Sequence, residues 1–240
     1  VKVAEIYKIL DQIAPFEAGE SWDNSGLLVG SMSDEFDKIY ASLDIDSNLV
    51  NNLEPNSLLI THHPLIFSGL KKLDFSRYPA NLIKVLIKKD IKLISMHTNF
   101  DKFVLNKFVM SEILGLESFK SVDFLEYAKF DGKFSDFCDF LKDKLCLDSL
   151  KVVKAKDEIS TFSLCTGSGM SMVDMVEADA FITGDIKYHD ALTAKENGLN
   201  LVDITHFESE KYFSKALVKN LQKFSISAII TNSTNPFSKI

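Results

Sequence analysis

Leu58-Leu59-Ile60-Thr61-His62-His63-Pro64 is an apolar run that delivers two adjacent histidines and then stops at a proline. Residues 58–60 have the length and composition of a buried strand. Pro64 disfavours the helical region for the residue before it, so His63 is expected to be extended or in a turn. Adjacent side chains of an extended segment point to opposite faces. His62 and His63 therefore share one site only if the chain bends there, and otherwise each holds its own metal. Both readings suggest metal chemistry at a strand end, and the question becomes which other segments bring matching ligands.

Towards the N-terminus, Val3, Ile6, Ile9, Leu10 and Ile13 fall at helical spacing. Lys2, Glu5, Lys8 and Asp11 are interspersed among them, which does not read as a signal peptide. Trp22-Asp23-Asn24-Ser25-Gly26 reads as a turn before a short strand. Residues 39–45 form an expected strand ending in Asp44 and Asp46, with Asp46 or Ser47 capping a short helix towards Leu53. Past the double histidine, 79–88 reads as a helix and 91–96 as a strand that delivers His97-Thr98-Asn99-Phe100-Asp101, with a helix expected over 104–114. Strands and helices alternating at such intervals mark an α/β layer with parallel strands.

The pattern loosens over 118–122, where a lobe boundary is expected. Beyond it, 133–145 reads as a helix, and 151–154 and 161–165 as strands. Gly167-Ser168-Gly169 is then a turn into a helix, with backbone N–H groups able to cradle an anion. A strand over 180–182 ends in Thr183-Gly184-Asp185-Ile186-Lys187-Tyr188-His189-Asp190, and the next helix stops at Asn197-Gly198. Residues 199–204 read as a strand ending in Thr205-His206, 207–224 as one long helix and 226–231 as a last strand.

Across the 240 residues, 46% are hydrophobic and 25% charged, an ordinary globular balance. A net charge of -7 argues against a nucleic-acid binder driven by bulk charge. No apolar run approaches the roughly 20 residues of a membrane helix. Three cysteines, Cys138, Cys146 and Cys165, with no CxxC pair, fit a reducing cytoplasm better than a disulfide framework. Cys138 and Cys146 are expected in core packing.

All five histidines, His62, His63, His97, His189 and His206, stand at or just after the end of a strand-like run. In open α/β sheets that is where ligands bind. A lone histidine there is more often structural, but five with acids nearby shift the balance towards metal. His206 and Glu210, four apart at a helix start, share a face with Cβ atoms roughly 6 Å apart. Phe213, Leu217 and Leu221 continue that stripe, and Glu208 lies off it as a solvated residue. Asp101 is the better hard ligand of its segment. His97 stays open as ligand, partner of a ligand, proton carrier or structural residue. Together His62, His63, Asp101, His206 and Glu210 make a mixed nitrogen and oxygen set suited to zinc, manganese, iron or nickel. Five ligands exceed what one hydrolytic metal needs, so two divalent ions fit better.

With these segments in place, the chain resembles the GTP cyclohydrolase 1 type 2 homologues, the NGG-one-interacting-factor-three-like family, in its short bacterial form. The resemblance runs nearly end to end through Trp22-Asp23-Asn24, Thr61-His62-His63-Pro64, His97-Thr98-Asn99-Phe100-Asp101, Gly167-Ser168-Gly169, Thr183-Gly184-Asp185 and His206 with Glu210. It implies two interlaced α/β lobes, 1–122 with 200–240 and a smaller 123–199, with a dinuclear metal site in the cleft. It implies His62, His63, Asp101, His206 and Glu210 as the metal ligands, a ring-shaped hexamer, and hydrolytic opening of a guanine ring at C8 with formate release. His97 is the expected catalytic proton carrier, and the expected partner is a small-molecule substrate, such as a nucleotide. A dimetal phosphoesterase and a ring-shaped metal-binding scaffold are the competing readings. One departure stands out: Lys102-Phe103-Val104-Leu105-Asn106 lacks the glycine that members carry after the aspartate.

Overall fold

A computed structural model describes residues 1–231 and 233–238. The chain divides into two compact units, Val1–Phe103 with Phe213–Ile240, and Val104–Tyr212. Each is a mixed α/β body around its own sheet.

The first unit opens with α1 (Val3–Ile13), which turns Val3, Ile6 and Leu10 into the core. Each such side chain contributes about 1.5–3 kcal/mol relative to exposure. The sheet takes β1 (Gly26–Val29), β2 (Lys38–Ser42), β3 (Ser57–Thr61), β4 (Lys92–Ser95) and, from near the other end of the chain, β11 (Ile229–Ile230), in the order β1-β4-β3-β2-β11. The strands β11, β2, β3 and β4 run parallel, and β1 closes the edge antiparallel to β4. Every residue of β3 and β4 is buried, as the continuous apolar runs require of strands covered on both faces. Two helices join these parallel strands. The first, α2 (Ser47–Asn52), is capped by Asp46, whose side chain accepts from Leu49 N at 2.7 Å. The second, α3 (Ala80–Lys88), buries Leu82, Ile83 and Leu86.

The helix expected from 104 begins six residues earlier. It runs as α4 (Thr98–Phe100), a π turn (Asp101–Leu105), α5 (Asn106–Phe108) and a second π turn (Val109–Ile113). Asp101 therefore lies on the helix itself. The cause is local: Phe100 N and Asp101 N both bond to the His97 carbonyl, at 2.9 and 3.1 Å. Thr98 and Asn99 reinforce the start by bonding outside the helix, to Asp23 and to the Ala14 carbonyl.

The second unit carries β5 (Lys120–Val122), β6 (Leu125–Lys133), β7 (Lys151–Val153), β8 (Glu158–Leu164), β9 (Ala180–Thr183) and β10 (Asn200–Asp203), in the order β5-β6-β8-β9-β10-β7. Here β8, β9 and β10 are mutually parallel and the remaining pairings antiparallel. The nine-residue β6 was not legible in the sequence, because its second half, Lys129-Phe130-Asp131-Gly132-Lys133, mixes charge with exposure and bulges against β8. Residues 200–212, which the sequence reading grouped with the first lobe, fall in this unit because β10 pairs with β9 and β7. Against the sheet lie α6 (Phe134–Leu145), which buries Phe134, Phe137, Leu141 and Leu145, and α7 (Tyr188–Glu196). Cys146 ends α6 in the left-handed conformation and is exposed, contrary to its expected core role; Cys138 is half-buried and Cys165 buried.

The long helix expected over 207–224 is two helices, α8 (His206–Glu210) and α9 (Phe213–Gln222), interrupted at Lys211 and Tyr212. Phe213, Ala216, Leu217 and Leu221 bury the inner face of α9 in the first unit. Glu208 is half-buried against Lys211 at 2.6 Å rather than fully solvated.

Candidate metal centre

In the first unit the parallel strands set out the donors. Asp44 follows β2, His62 and His63 follow β3, and His97 follows β4, all at carboxyl ends. The strand stops at Thr61, whose hydroxyl donates to the His63 carbonyl at 3.0 Å, while the Ser95 hydroxyl donates to the His62 carbonyl at 2.7 Å. These bonds bend the chain, so the two rings do not diverge as they would on a straight strand. Their centroids lie 5.0 Å apart, and those of His62 and His63 lie 5.2 and 5.5 Å from His97. The ligand atoms of His62, His63 and His97 all lie within 4.8 Å of one another, close enough to hold one cation.

Each ring is held through the same nitrogen. His62 Nδ1 meets the Met96 carbonyl at 2.8 Å, His63 Nδ1 meets Asp44 at 2.7 Å, and His97 Nδ1 meets Asp23 at 2.8 Å. A carbonyl or carboxylate oxygen can only accept, so Nδ1 carries a proton in every case and Nε2 is the nitrogen that would meet a cation. This is the arrangement by which proteins orient histidine ligands. Asp101, buried on the first turn after His97, brings Oδ1 to 3.4 Å from His62 Nε2. A ring nitrogen and a carboxylate oxygen at this distance suit a proton or a metal cation between them.

Asp23 ties the His97 segment down. It accepts from His97 Nδ1, from Thr98 N and Oγ1, and from Ser25 Oγ. Burial opposes its ionisation, but the hydrogen bonds and the His97 charge outweigh it and hold the carboxyl far below the usual carboxylate range. Trp22-Asp23-Asn24 reads in the sequence as a turn and as one motif of the resemblance; the role of Asp23 at His97 spans 74 residues and is invisible to local pattern.

In the second unit the donors again follow parallel strands: Gly167 follows β8, Asp185 follows β9, and His206 follows β10. His206 Nδ1 meets Asp185 at 2.6 Å and its Nε2 lies 3.1 Å from Glu210 Oε2, so this pair repeats the histidine–carboxylate arrangement. Thr205 (φ 65°, ψ 156°) and Asp185 (φ 56°) hold positive φ without being glycine. Such strain costs of order 1–3 kcal/mol and concentrates at functional sites. Gly184 has no room for a side chain, since a Cβ would fall 2.7 Å from His206 N. A Cβ at Gly167 would overlap the Glu210 carboxylate, so the glycine makes the space that Glu210 occupies.

The anion cradle expected at Gly167-Ser168-Gly169 is not formed. Gly167 N donates to Ser209 Oγ and Gly169 N to Thr183 Oγ1, each at 2.8 Å, and the helix that follows is a 3₁₀ segment (Gly169–Met175). Those N–H groups are committed internally, and a carboxylate rather than an anion-binding space lies against the loop. His189 is exposed on the first turn of α7, with its ring 5.3 Å from that of Tyr188. The donor chemistry of both units, imidazole Nε2 beside carboxylate oxygen, fits a divalent transition metal better than magnesium or calcium.

The family model described as Duf34/NIF3 (NGG1p interacting factor 3) matches residues 1–236. A Campylobacter jejuni protein described as "GTP cyclohydrolase 1 type 2 homolog" is 49% identical over 239 residues, covering 99% of each chain. A Helicobacter pylori protein described as "GTP cyclohydrolase 1 type 2" is 40% identical over 242 residues, again 99% of each. Among solved structures, Staphylococcus aureus protein SA1388 matches with a TM-score of 0.84 at 28% identity, over 100% of this chain and 99% of that one. Reduced HcgD from Methanocaldococcus jannaschii matches with a TM-score of 0.79 at 27% identity, over 97% of each.

Proposed function

The chain belongs to the Duf34/NIF3 family, and from that premise we propose that it is a metal-dependent hydrolase acting on a purine nucleotide. His62, His63, Asp101, His206 and Glu210 would hold two divalent ions, of zinc, manganese, iron or nickel. The observation that carries this is the common setting of the ligand histidines: His62, His63 and His206 each give Nδ1 to an acceptor, so that Nε2 is the nitrogen that would meet a cation. Ions bound there supply Lewis acidity and lower the pKa of water at neutral pH.

The protein's own groups do the rest. Asp44 and Asp185 fix the rings of His63 and His206, so that Nε2 is aimed without reorganisation. His97, oriented by Asp23, offers Nε2 as a proton carrier to the purine ring. The reaction we propose is hydrolytic opening of the guanine ring at C8 with release of formate, a reading supported by the relatives' names, "GTP cyclohydrolase 1 type 2" and its homolog. Its membership of the family supports a ring-shaped hexamer in the cytoplasm as the working form we propose. Among the described residues no helix is long and apolar enough to cross a membrane.

The test is to load the protein with each metal in turn, add GTP and quantify formate. Formate above the level given by His63→Ala supports the reading; equal levels in the two proteins reject ring opening.

A further inference from the structure

Trp22 is the only tryptophan in the chain, and its side chain is 58% exposed. Phe67 stands beside it, 52% exposed, with ring centroids 6.0 Å apart. Both rings flank His97, at 6.2 and 6.4 Å, and both meet it edge to face. Single exposed apolar side chains are ordinary on a protein surface, whereas adjoining ones beside a polar centre mark a place where something binds.

The backbone under these rings is rigidly held. Asp23 is bonded to His97 and Thr98, Ser25 Oγ accepts from His97 N at 3.2 Å, and Asn24 Nδ2 donates to the Ile66 carbonyl at 2.5 Å. That last bond links the Trp22 loop to the residue next to Phe67. Three consecutive side chains thus anchor the segment, and the fourth, Trp22, stands outside the anchoring. A pre-organised aromatic pair adds affinity because little freedom is lost when a ligand stacks on it.

We infer that Trp22 and Phe67 form a stacking platform for a planar heteroaromatic ring, which they hold against His97. Every base presents a π face, and stacking on an aromatic side chain selects for ring against no ring rather than for one base over another. The choice of a purine as that ring rests on the hydrolase reading above. The platform itself rests only on the geometry of the two exposed rings and their anchored loops.

The single tryptophan reports the binding directly. Guanosine monophosphate titrated into the intact protein is expected to quench Trp22 emission saturably, while ribose 5-phosphate, which has no base, leaves it unchanged. Phe67→Ala, which keeps the reporter, is expected to weaken the nucleotide about tenfold, and Phe67→Tyr to restore it. Trp22→Ala, followed by calorimetry, is expected to lose about as much. Equal quenching by ribose 5-phosphate overturns the inference, as does an unchanged nucleotide affinity in Phe67→Ala. A ligand-silent emission that shifts on dilution also overturns it, because a second copy of the chain then covers the rings. Saturable quenching without formate release keeps the platform and removes the hydrolase reading. Formate release by Trp22→Ala at unchanged KM does the reverse.

Discussion

Substituting Gly167 by alanine tests whether the Glu210 carboxylate is held where a metal needs it. Gly167 has φ +66°, a left-handed conformation that costs an alanine roughly 1–2 kcal/mol. Its added Cβ would also overlap the Glu210 carboxylate, which is packed there beside His206 Nε2. The first effect has a control within the same chain. Gly115 has φ +71° and nothing within 4 Å of the position a Cβ would take, so Gly115→Ala carries the conformational cost alone. A chain of this size loses about 2–4 °C of Tm per kcal/mol, so Gly115→Ala is expected to lower Tm by about 2–8 °C. It leaves metal affinity unchanged. Gly167→Ala is expected to lose at least as much Tm. It should also weaken divalent metal binding by about tenfold or more, since Glu210 must turn away from His206 to admit the methyl group. Thermal melts of the metal-free proteins and competition with a chelating dye measure the two quantities separately. If Gly167→Ala binds metal as tightly as Gly115→Ala does, the placement of Glu210 as a ligand is refuted.

Asp44→Asn and Asp185→Asn remove the carboxylates that orient His63 and His206, and each is expected to weaken metal affinity about 10–100-fold with little change in fold, as read by metal titration and circular dichroism. The Asp23 carboxyl is depressed in the folded protein, so its contribution to stability is full above the unfolded value of roughly 3.9 and is lost as pH falls through the lower folded value. Urea midpoints of Asp23→Asn should therefore fall less steeply than wild type below about pH 4, and parallel curves would contradict the assignment. Cys146 is exposed, Cys165 is buried, and burial pushes the Cys138 thiol up, so a thiol reagent should modify Cys146 first, with mass spectrometry after partial reaction locating the label.

What the sequence determined by itself is what short-range physics controls. The apolar runs at 58–60 and 91–96 read as strands and are buried ones, Asp46 was one of two candidates to cap α2 and does so, and the spacing of Val3, Ile6 and Leu10 fixed the buried face of α1. The histidines were legible as strand-end residues for the same reason, since a strand that stops delivers its next side chains to the sheet edge. Longer-range outcomes were not legible. Lys211 and Tyr212 interrupt a stripe that reads as one helix, and the committed N–H groups of Gly167 and Gly169 close a loop that reads as an anion cradle. The orientations of the histidine rings were decided only by tertiary structure. His62, His63, His206 and His97 find their Nδ1 acceptors 34, 19, 21 and 74 residues away. No periodicity encodes such pairs; those of His62, His63 and His206 exist because parallel strands place their carboxyl ends side by side, and that of His97 because Asp23 precedes β1, which pairs antiparallel with β4, and such adjacency is a property of the folded sheet.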